Sequence, residues 1–197
     1  MKALLVKDIY SIWKQLRLML VILVVFAVMP DDYMNVLALT IAAMMPYTAA
    51  AYDERSRWNL MAAMMPYTPL DMVLSKYVLG WLMIGGAALL SVLMHLVRSL
   101  FMDRSWDLTL IAISILAAVM ILNIALPLIF RFGVEKGRLV TIFLIALVCG
   151  SAGSLSQVET VAIPASGVII LLGTLITVPV TVISIMISGK VYRHSLN

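Results

Sequence analysis

Few residues in this chain have the type and spacing that covalent chemistry requires. The segment Gly150-Ser151-Ala152-Gly153 resembles a serine-hydrolase elbow, but its serine lacks the required flanking residues and no histidine is placed to activate it. His95 is a lone histidine near the end of an apolar segment. The chain also lacks the H-E-x-x-H motif of zinc hydrolases and the G-x-x-x-x-G-K-[ST] loop that binds nucleotide phosphates. The sequence therefore predicts no catalytic residue, no metal site and no ATP site of its own.

Acidic residues are placed where they cannot carry ions through a membrane. No Asp or Glu lies near the middle of an apolar segment, where such a group would indicate a proton or sodium pathway. The two acidic pairs, Asp31-Asp32 and Asp53-Glu54, lie between apolar segments. The single cysteine, Cys149, can form neither an intramolecular disulfide nor a thiolate cluster. If the chain moves a substrate, the energy must come from elsewhere.

The composition is that of a membrane protein. Of the 197 residues, 63% are hydrophobic and 12% are charged, with a mean hydropathy of +1.08, whereas a soluble domain carries about 25% charged residues. So few charges cannot cover a water-facing surface, which excludes a soluble enzyme or a nucleic-acid binder. The net charge of +4 comes from basic residues in short clusters between long apolar runs, as membrane topology requires.

The apolar runs predict an all-α, polytopic membrane protein that forms one transmembrane domain over residues 1–197. A bilayer core of about 30 Å requires roughly 20 apolar helical residues, fewer where flanking side chains snorkel. The runs are continuously apolar rather than alternating, which argues against strands. Six spans are predicted, over residues 16–29, 34–52, 73–96, 108–130, 139–153 and 164–188.

The first fifteen residues predict an amphipathic helix on the inner leaflet. Leu5, Ile9, Ile12 and Leu16 recur at helical spacing, and Lys7 lies on the opposite side with Lys14. The alternative is that residues 1–15 simply extend the first span. A secretory signal is disfavoured, because no small-x-small cleavage site follows Met29 and five more spans do.

Lysine and arginine residues orient the predicted bundle. With the N-terminus in the cytoplasm, twelve of the fourteen basic residues fall in inside segments, and only Arg98 and Arg104 fall outside. Basic residues concentrate on the cytoplasmic side of membrane proteins. Six spans and this division place both termini in the cytoplasm.

Small residues and methionines each leave two interpretations open. Small residues at four-residue spacing allow helices to approach closely in lipid, and they also occur in helices that line a moving pathway. The fifteen methionines either fill irregular gaps or form a surface that adapts to varied apolar ligands. The predicted helix-packing residues are Gly85, Gly86, Ala146, Gly150 and Ser154.

The longest predicted cytoplasmic connection, residues 53–72, has the features of a docking helix. It begins with the charged run from Asp53 to Arg57, continues with Trp58 and an apolar stretch, and turns at Pro66. Trp and Arg are favoured anchors at protein interfaces, so this loop is expected to contact another protein. The alternative is a helix that rests on lipid headgroups.

The order of residues in this region resembles the permease subunits of type-2 ABC exporters. The resemblance covers the whole chain in topology, and its residues are Asp53, Glu54, Trp58, Pro66, Lys76 and Tyr77. The chain is most similar to short bacterial permeases without a fused ATPase, such as those that export phenol-soluble modulins or antimicrobial peptides. Pro69 departs from the pattern, because a basic residue often follows the proline turn in these relatives.

This resemblance implies an export function with a separate energy source. The loop would contain a coupling helix that docks on an ABC ATPase, with two permeases and two ATPases in the complex. ATP and Mg²⁺ would be bound by the ATPase, this chain would hold no cofactor, and the partners would be a second copy, the lipid bilayer and a hydrophobic or amphipathic substrate. The location would be the bacterial cytoplasmic membrane. The expected ATPase-coupling interface comprises Asp53, Glu54, Arg55, Arg57, Trp58 and Pro66.

Two other classes of function remain as alternatives. A secondary transporter or channel would favour titratable groups at mid-membrane depth, and the sequence has none there. A membrane enzyme or assembly protein without an ATPase partner would be revealed by activity of the isolated chain.

Overall fold

A computed structural model describes residues 2–28, 33–65, 67–101, 108–156 and 166–195. Within these ranges the chain forms helices and no strand, which confirms the predicted all-α class. The helices are α1 (Lys2–Val28), α2 (Tyr33–Ala43), α3 (Met45–Arg55), α4 (Trp58–Ala63), α5 (Pro69–Phe101), α6 (Leu108–Ser156) and α7 (Ser166–Ser195).

Four helical segments of the described residues are long and apolar enough to cross a membrane. They are Val36–Arg55, Leu70–Val97, Ile111–Val148 and Ile170–Tyr192. The predicted spans 34–52 and 73–96 correspond to the first two, and the span 164–188 to the last. The predicted spans 108–130 and 139–153 both fall in the 38-residue third segment. A polytopic membrane protein is therefore supported, and the count of six crossings stays a prediction.

Helix α1 is continuous through the predicted boundary between residues 15 and 16. Its buried stripe, Leu4, Asp8, Ile12 and Met19, recurs on one side of the helix and faces the bundle. No break in α1 separates an amphipathic segment over residues 2–15 from the first span. The division of the helix into these two parts stays a prediction.

The second predicted span is divided at Met44. Pro46 lies in the first turn of α3 and has no N–H to continue the hydrogen bonding of α2. The Met44 amide donates to the Ile41 carbonyl, which tightens the last turn of α2. Helix α3 then continues to Arg55 and carries the acidic pair in its last turn.

Helix α6 is interrupted at Gly133, where the backbone is not helical. The φ of +79° at this residue is open to glycine and strained for other residues. A Cβ added at Gly137 would lie 3.2 Å from Ile129 Cα, although eight residues of straight helix span about 12 Å. The chain therefore turns back sharply at Gly133, and α6 consists of a first arm, residues 108–132, and a second arm, residues 134–156.

Helix α5 lies in the core of the bundle, where it contacts α1, α2, α3, α6 and α7. Its residues Val73, Tyr77 and Leu79 are fully buried, as is Leu122 of the first arm. A Cβ added at Gly80 would lie 2.7 Å from the Leu122 side chain, so this glycine permits close approach of α5 and α6. Among the apolar segments, α7 is the least covered by the rest of the chain.

The glycines predicted to pack helices together do not contact another helix of the same chain. A Cβ added at Gly85, Gly86 or Gly150 would meet no atom within 4 Å. These three residues and Ala146 are exposed on the outside of the bundle, and the side chain of Ser154 lies outside the described residues. Any close packing at these positions would therefore involve lipid or another chain.

Candidate docking site at one end of the bundle

Four distant parts of the chain meet at one end of the bundle around a cavity of about 240 Å³. They are the start of α1, the region from the end of α3 to α4, the start of α5 and the break in α6. The end of α7 joins them through Tyr192. Each of these parts lies in or beside a segment that the distribution of lysine and arginine predicts to be cytoplasmic. The cavity is lined by both charged and aromatic side chains, including Lys7, Asp53, Glu54, Trp58, Lys76 and Phe130.

Two lysines and two aspartates form a compact ion cluster beside this cavity. Lys76 Nζ lies 2.8 Å from Asp8 Oδ1 and 2.5 Å from Asp53 Oδ2. Lys7 Nζ lies 2.5 Å from Asp53 Oδ1 and 3.0 Å from Asp8 Oδ1. The side chains of Asp8 and Lys76 are only 1% and 7% exposed. The cluster has no net charge, and it fastens α1 to both α3 and α5.

Trp58 faces this ion cluster rather than open solvent. Lys7 Nζ lies 4.4 Å from the centre of the Trp58 ring, within the range of a cation–π interaction. The indole is half-buried. Arg57, just before it, has a left-handed backbone conformation with φ of 51°, which turns the chain from α3 into α4. Trp58, the residue predicted to anchor the loop on a partner, thus holds the start of α4 against Lys7 of α1.

Glu54 and Tyr47 hold the break in α6 from the side of α3. The Val134 amide donates to Glu54 Oε2 at 3.0 Å, and the Tyr47 hydroxyl donates to the Val134 carbonyl at 3.0 Å. Val134 is the first residue of the second arm, so its amide has no partner within the helix after Gly133 changes the chain direction. Two side chains of α3 therefore satisfy both backbone groups of one residue.

A chain of hydrogen bonds continues from this end into the bundle. Ser184 Oγ donates to the Asn123 carbonyl. The Ser184 hydroxyl hydrogen is used there, so Tyr77 must donate to Ser184 Oγ at 2.6 Å, and Ser188 then donates to Tyr77 at 3.0 Å. Asn123 Nδ2 also donates to Thr181 at 2.9 Å. These polar bonds hold α7 to α5 and α6, where few apolar contacts bury it.

The outer surface of α4 is apolar and flanked by cations. Met61, Met64 and Met65 are exposed, Met64 by 88%. Arg55 and Arg57 are also exposed, and Pro66 lies outside the described residues. Of the predicted interface residues, Asp53, Glu54 and Trp58 thus make bonds within the chain, whereas the two arginines face outward.

The sequence analysis missed Asp8, Lys7 and the exposed methionines as parts of this end of the molecule. The available signal was the position of Asp8, a charged residue that lies four residues from both Leu4 and Ile12 on the buried side of α1. Among the described residues, no group of three or more His, Cys, Asp or Glu side chains could hold a metal ion. Within the described residues, the site combines buried ion pairs with an exposed apolar surface.

A protein-family model described as "ABC-2 family transporter protein" matches residues 3–193. The match includes every element around the cavity and all seven helices but for the ends of α1 and α7. No curated protein and no solved structure matches the chain.

Proposed function

Because the chain belongs to the ABC-2 transporter family, and is thus a membrane permease of an ABC transporter, we propose that it pairs with a separate ATPase. Two permeases and two ATPases would form the working complex, and the ATPases would bind ATP and Mg²⁺. The exported substrates would be hydrophobic or amphipathic molecules such as peptides. The membrane would be the bacterial cytoplasmic membrane.

The meeting of distant segments at one end supports six crossings with this end in the cytoplasm. The chain leaves the ion cluster after Asp8 and returns at Asp53; it leaves again after Lys76 and returns at Gly133. It leaves once more along the second arm and returns at Tyr192, which lines the same cavity. Three departures and three returns amount to six crossings if each reaches the far side. Cysteines at Ser56 and Lys136 should then be protected from an impermeant thiol reagent in intact cells.

The observation that carries the docking proposal is the exposed methionine surface of α4. Met61 on α4 and Met64 and Met65 in the turn just after it are exposed, and the Trp58 ring at the start of α4 packs against Lys7. Met side chains adapt to the shape of a partner, and Arg55 and Arg57 beside them can pair with acidic groups. The exposed methionines and the two arginines are therefore the proposed direct contacts with the ATPase. Trp58, Asp53 and Glu54 would hold this surface in place through their bonds within the chain.

The outward glycines support a second copy of the chain as a partner. Gly85 and Gly86 leave an open strip on α5, as does Gly150 on the second arm of α6. Backbones can approach closely at such strips in lipid. The proposed permease dimer would use one of these faces.

Replacement of Met64 by serine tests the docking surface. Burial of a methionine side chain contributes roughly 1.5–3 kcal/mol, so Met64→Ser should weaken ATPase binding by about 10- to 100-fold, since 1.4 kcal/mol is tenfold. The measurement is the affinity of the ATPase for the permease in nanodiscs. Met186→Ser is the matched control, because Met186 is 58% exposed on the distant α7. Equal affinities for Met64→Ser, Met186→Ser and the unaltered permease would contradict docking on α4.

A further inference from the structure

We propose that Glu54 is a positioning residue that transmits movement of the docking loop to the break in α6. This inference rests on the proposed function, because it assumes that a partner acts on α4. Within the permease, Glu54 sets the angle between the two arms of α6.

The first step is the geometry of the break. Gly133 interrupts the helix with a φ of +79°, and the Val134 amide that follows donates to Glu54 at 3.0 Å. Tyr47 binds the Val134 carbonyl at 3.0 Å and lies seven residues before Glu54, on the same side of α3. The second arm of α6 is thus attached to α3 at its first residue, through both polar groups of that residue.

The second step is the direct link from Glu54 to α4. Only Arg55, Ser56 and Arg57 separate Glu54 from the first residue of α4. The Ser56 amide donates to Tyr52 at 2.9 Å and the Arg57 amide donates to Glu54 at 3.2 Å, which keeps this connection short and ordered. A displacement of α4 must therefore pull on the last turn of α3.

The two residues of the acidic pair, Asp53 and Glu54, contact different helices. Asp53 is bound by Lys7 of α1 and Lys76 of α5, whereas Glu54 is bound by the backbone of α6. Neighbouring residues on a helix point about 100° apart, so the pair contacts different elements. Asp53 anchors the turn to α1 and α5. Glu54 carries any remaining movement to Val134, beside the one residue of α6 whose backbone is not helical.

The consequence for transport is specific. The second arm of α6 begins beside the docking loop at Gly133 and continues to Ser156, so a change of angle at Gly133 would displace its whole length. With about 23 residues at 1.5 Å each, the arm is long enough to convert a small rotation at Gly133 into a displacement of several ångströms at its other end. Glu54 is the side chain that couples such a rotation to α4.

The test compares Glu54→Ala, which removes the acceptor for the Val134 amide, with Glu54→Gln, whose amide oxygen still accepts this bond. Glu135→Ala is the matched control, since Glu135 is an exposed carboxylate just beyond the break. Spin labels at Ile124 on the first arm and Phe143 on the second, both exposed, report the distance between the arms in a Cys149→Ser background.

In the permease–ATPase complex, the unaltered chain, Glu54→Gln and Glu135→Ala should show a change in label distance when ATP binds. Glu54→Ala should lose this change, and permease-stimulated ATP hydrolysis should fall by about tenfold, a usual size for coupling between linked sites, while the ATPase still co-purifies. Tyr47→Phe removes the second bond and should reduce the distance change in part. If ATP changes the label distance in Glu54→Ala as much as it does in the unaltered chain, the inference is overturned.

Label distances measured in the isolated permease distinguish a failure of this inference from a failure of the proposed function. If no ATPase binds the unaltered chain, the proposed function fails on its own. The label distances in the permease alone still test the role of Glu54: a broadened distribution in Glu54→Ala, restored in Glu54→Gln, supports it. Identical distributions in all variants contradict it.

Discussion

Removal of the Lys76 ammonium group should destabilise the permease more than removal of the Lys7 ammonium group, the other cation of the ion cluster. Lys76 is the more deeply buried of the two lysines, with a side chain 7% exposed against 23% for Lys7. It contacts Asp8 at 2.8 Å and Asp53 at 2.5 Å. Lys76→Met keeps the length and most of the volume of the side chain, so the loss measured is that of the charge.

The size of the effect follows from which charges remain. Loss of one partner from a buried ion pair costs about 3–5 kcal/mol, because the other charge stays buried without compensation. Asp8 is 1% exposed but keeps Lys7 at 3.0 Å, so the lower end of this range, about 3 kcal/mol, applies. For a chain of this length each kcal/mol lowers Tm by roughly 2–4 °C. Lys76→Met should therefore lower Tm by about 6–12 °C.

Thermal unfolding of all variants in the same detergent measures this change in Tm, and two further variants serve as controls. Lys190→Met is the control, since Lys190 is exposed on α7, and it should change Tm by less than about 2 °C. Asp8→Asn combined with Lys76→Met removes the uncompensated charge and should recover at least half of the loss. A Tm for Lys76→Met within 2 °C of the unaltered chain, or a double variant less stable than the single one, would refute the role of the cluster.

Two other substitutions test the break in α6 and the hydrogen bonds to α7. Gly133→Ala should destabilise the permease by about 1–2 kcal/mol, because φ is +79° there and a side chain is strained at this angle. Denaturant titration measures this loss, and an unchanged free energy of unfolding would argue against the turn. Tyr77→Phe should cost about 0.5–1.5 kcal/mol, because Ser188 loses its acceptor and Ser184 a donor, and an unchanged midpoint of unfolding would contradict that chain of hydrogen bonds.

The fold class could be predicted from the sequence because hydropathy acts over whole segments. Long apolar runs have few options other than helices in lipid, and the segments from Val36, Leu70, Ile111 and Ile170 correspond to predicted spans. The division of the second span was missed, since it depends on the local effect of Pro46 on hydrogen bonding in the helix before it. The continuity of α1 likewise depends on its packing against α2, α3 and α5, which periodicity alone does not reveal.

The candidate site could be located from the sequence, but its internal bonds could not. The charged run after the second span and Trp58 pointed to the loop that lines the cavity, since such residues are unusual beside apolar segments. Which of them bond within the chain depends on residues far away in the sequence: Lys7 for Trp58 and Asp53, and Val134 for Glu54. Sequence spacing carries no information on these partners. The partner of the predicted packing glycines also stays a prediction, because a small residue permits close approach without specifying the neighbour.

The most direct test of the central claim is the composition of the complex that this permease forms. An affinity-tagged permease purified from its own cells in mild detergent can be weighed intact by native mass spectrometry. We expect two permease chains of 21.7 kDa with two copies of an ATP-binding subunit, and ATP hydrolysis that requires both proteins. A permease that is recovered alone, or with a partner that binds no nucleotide, would contradict this expectation.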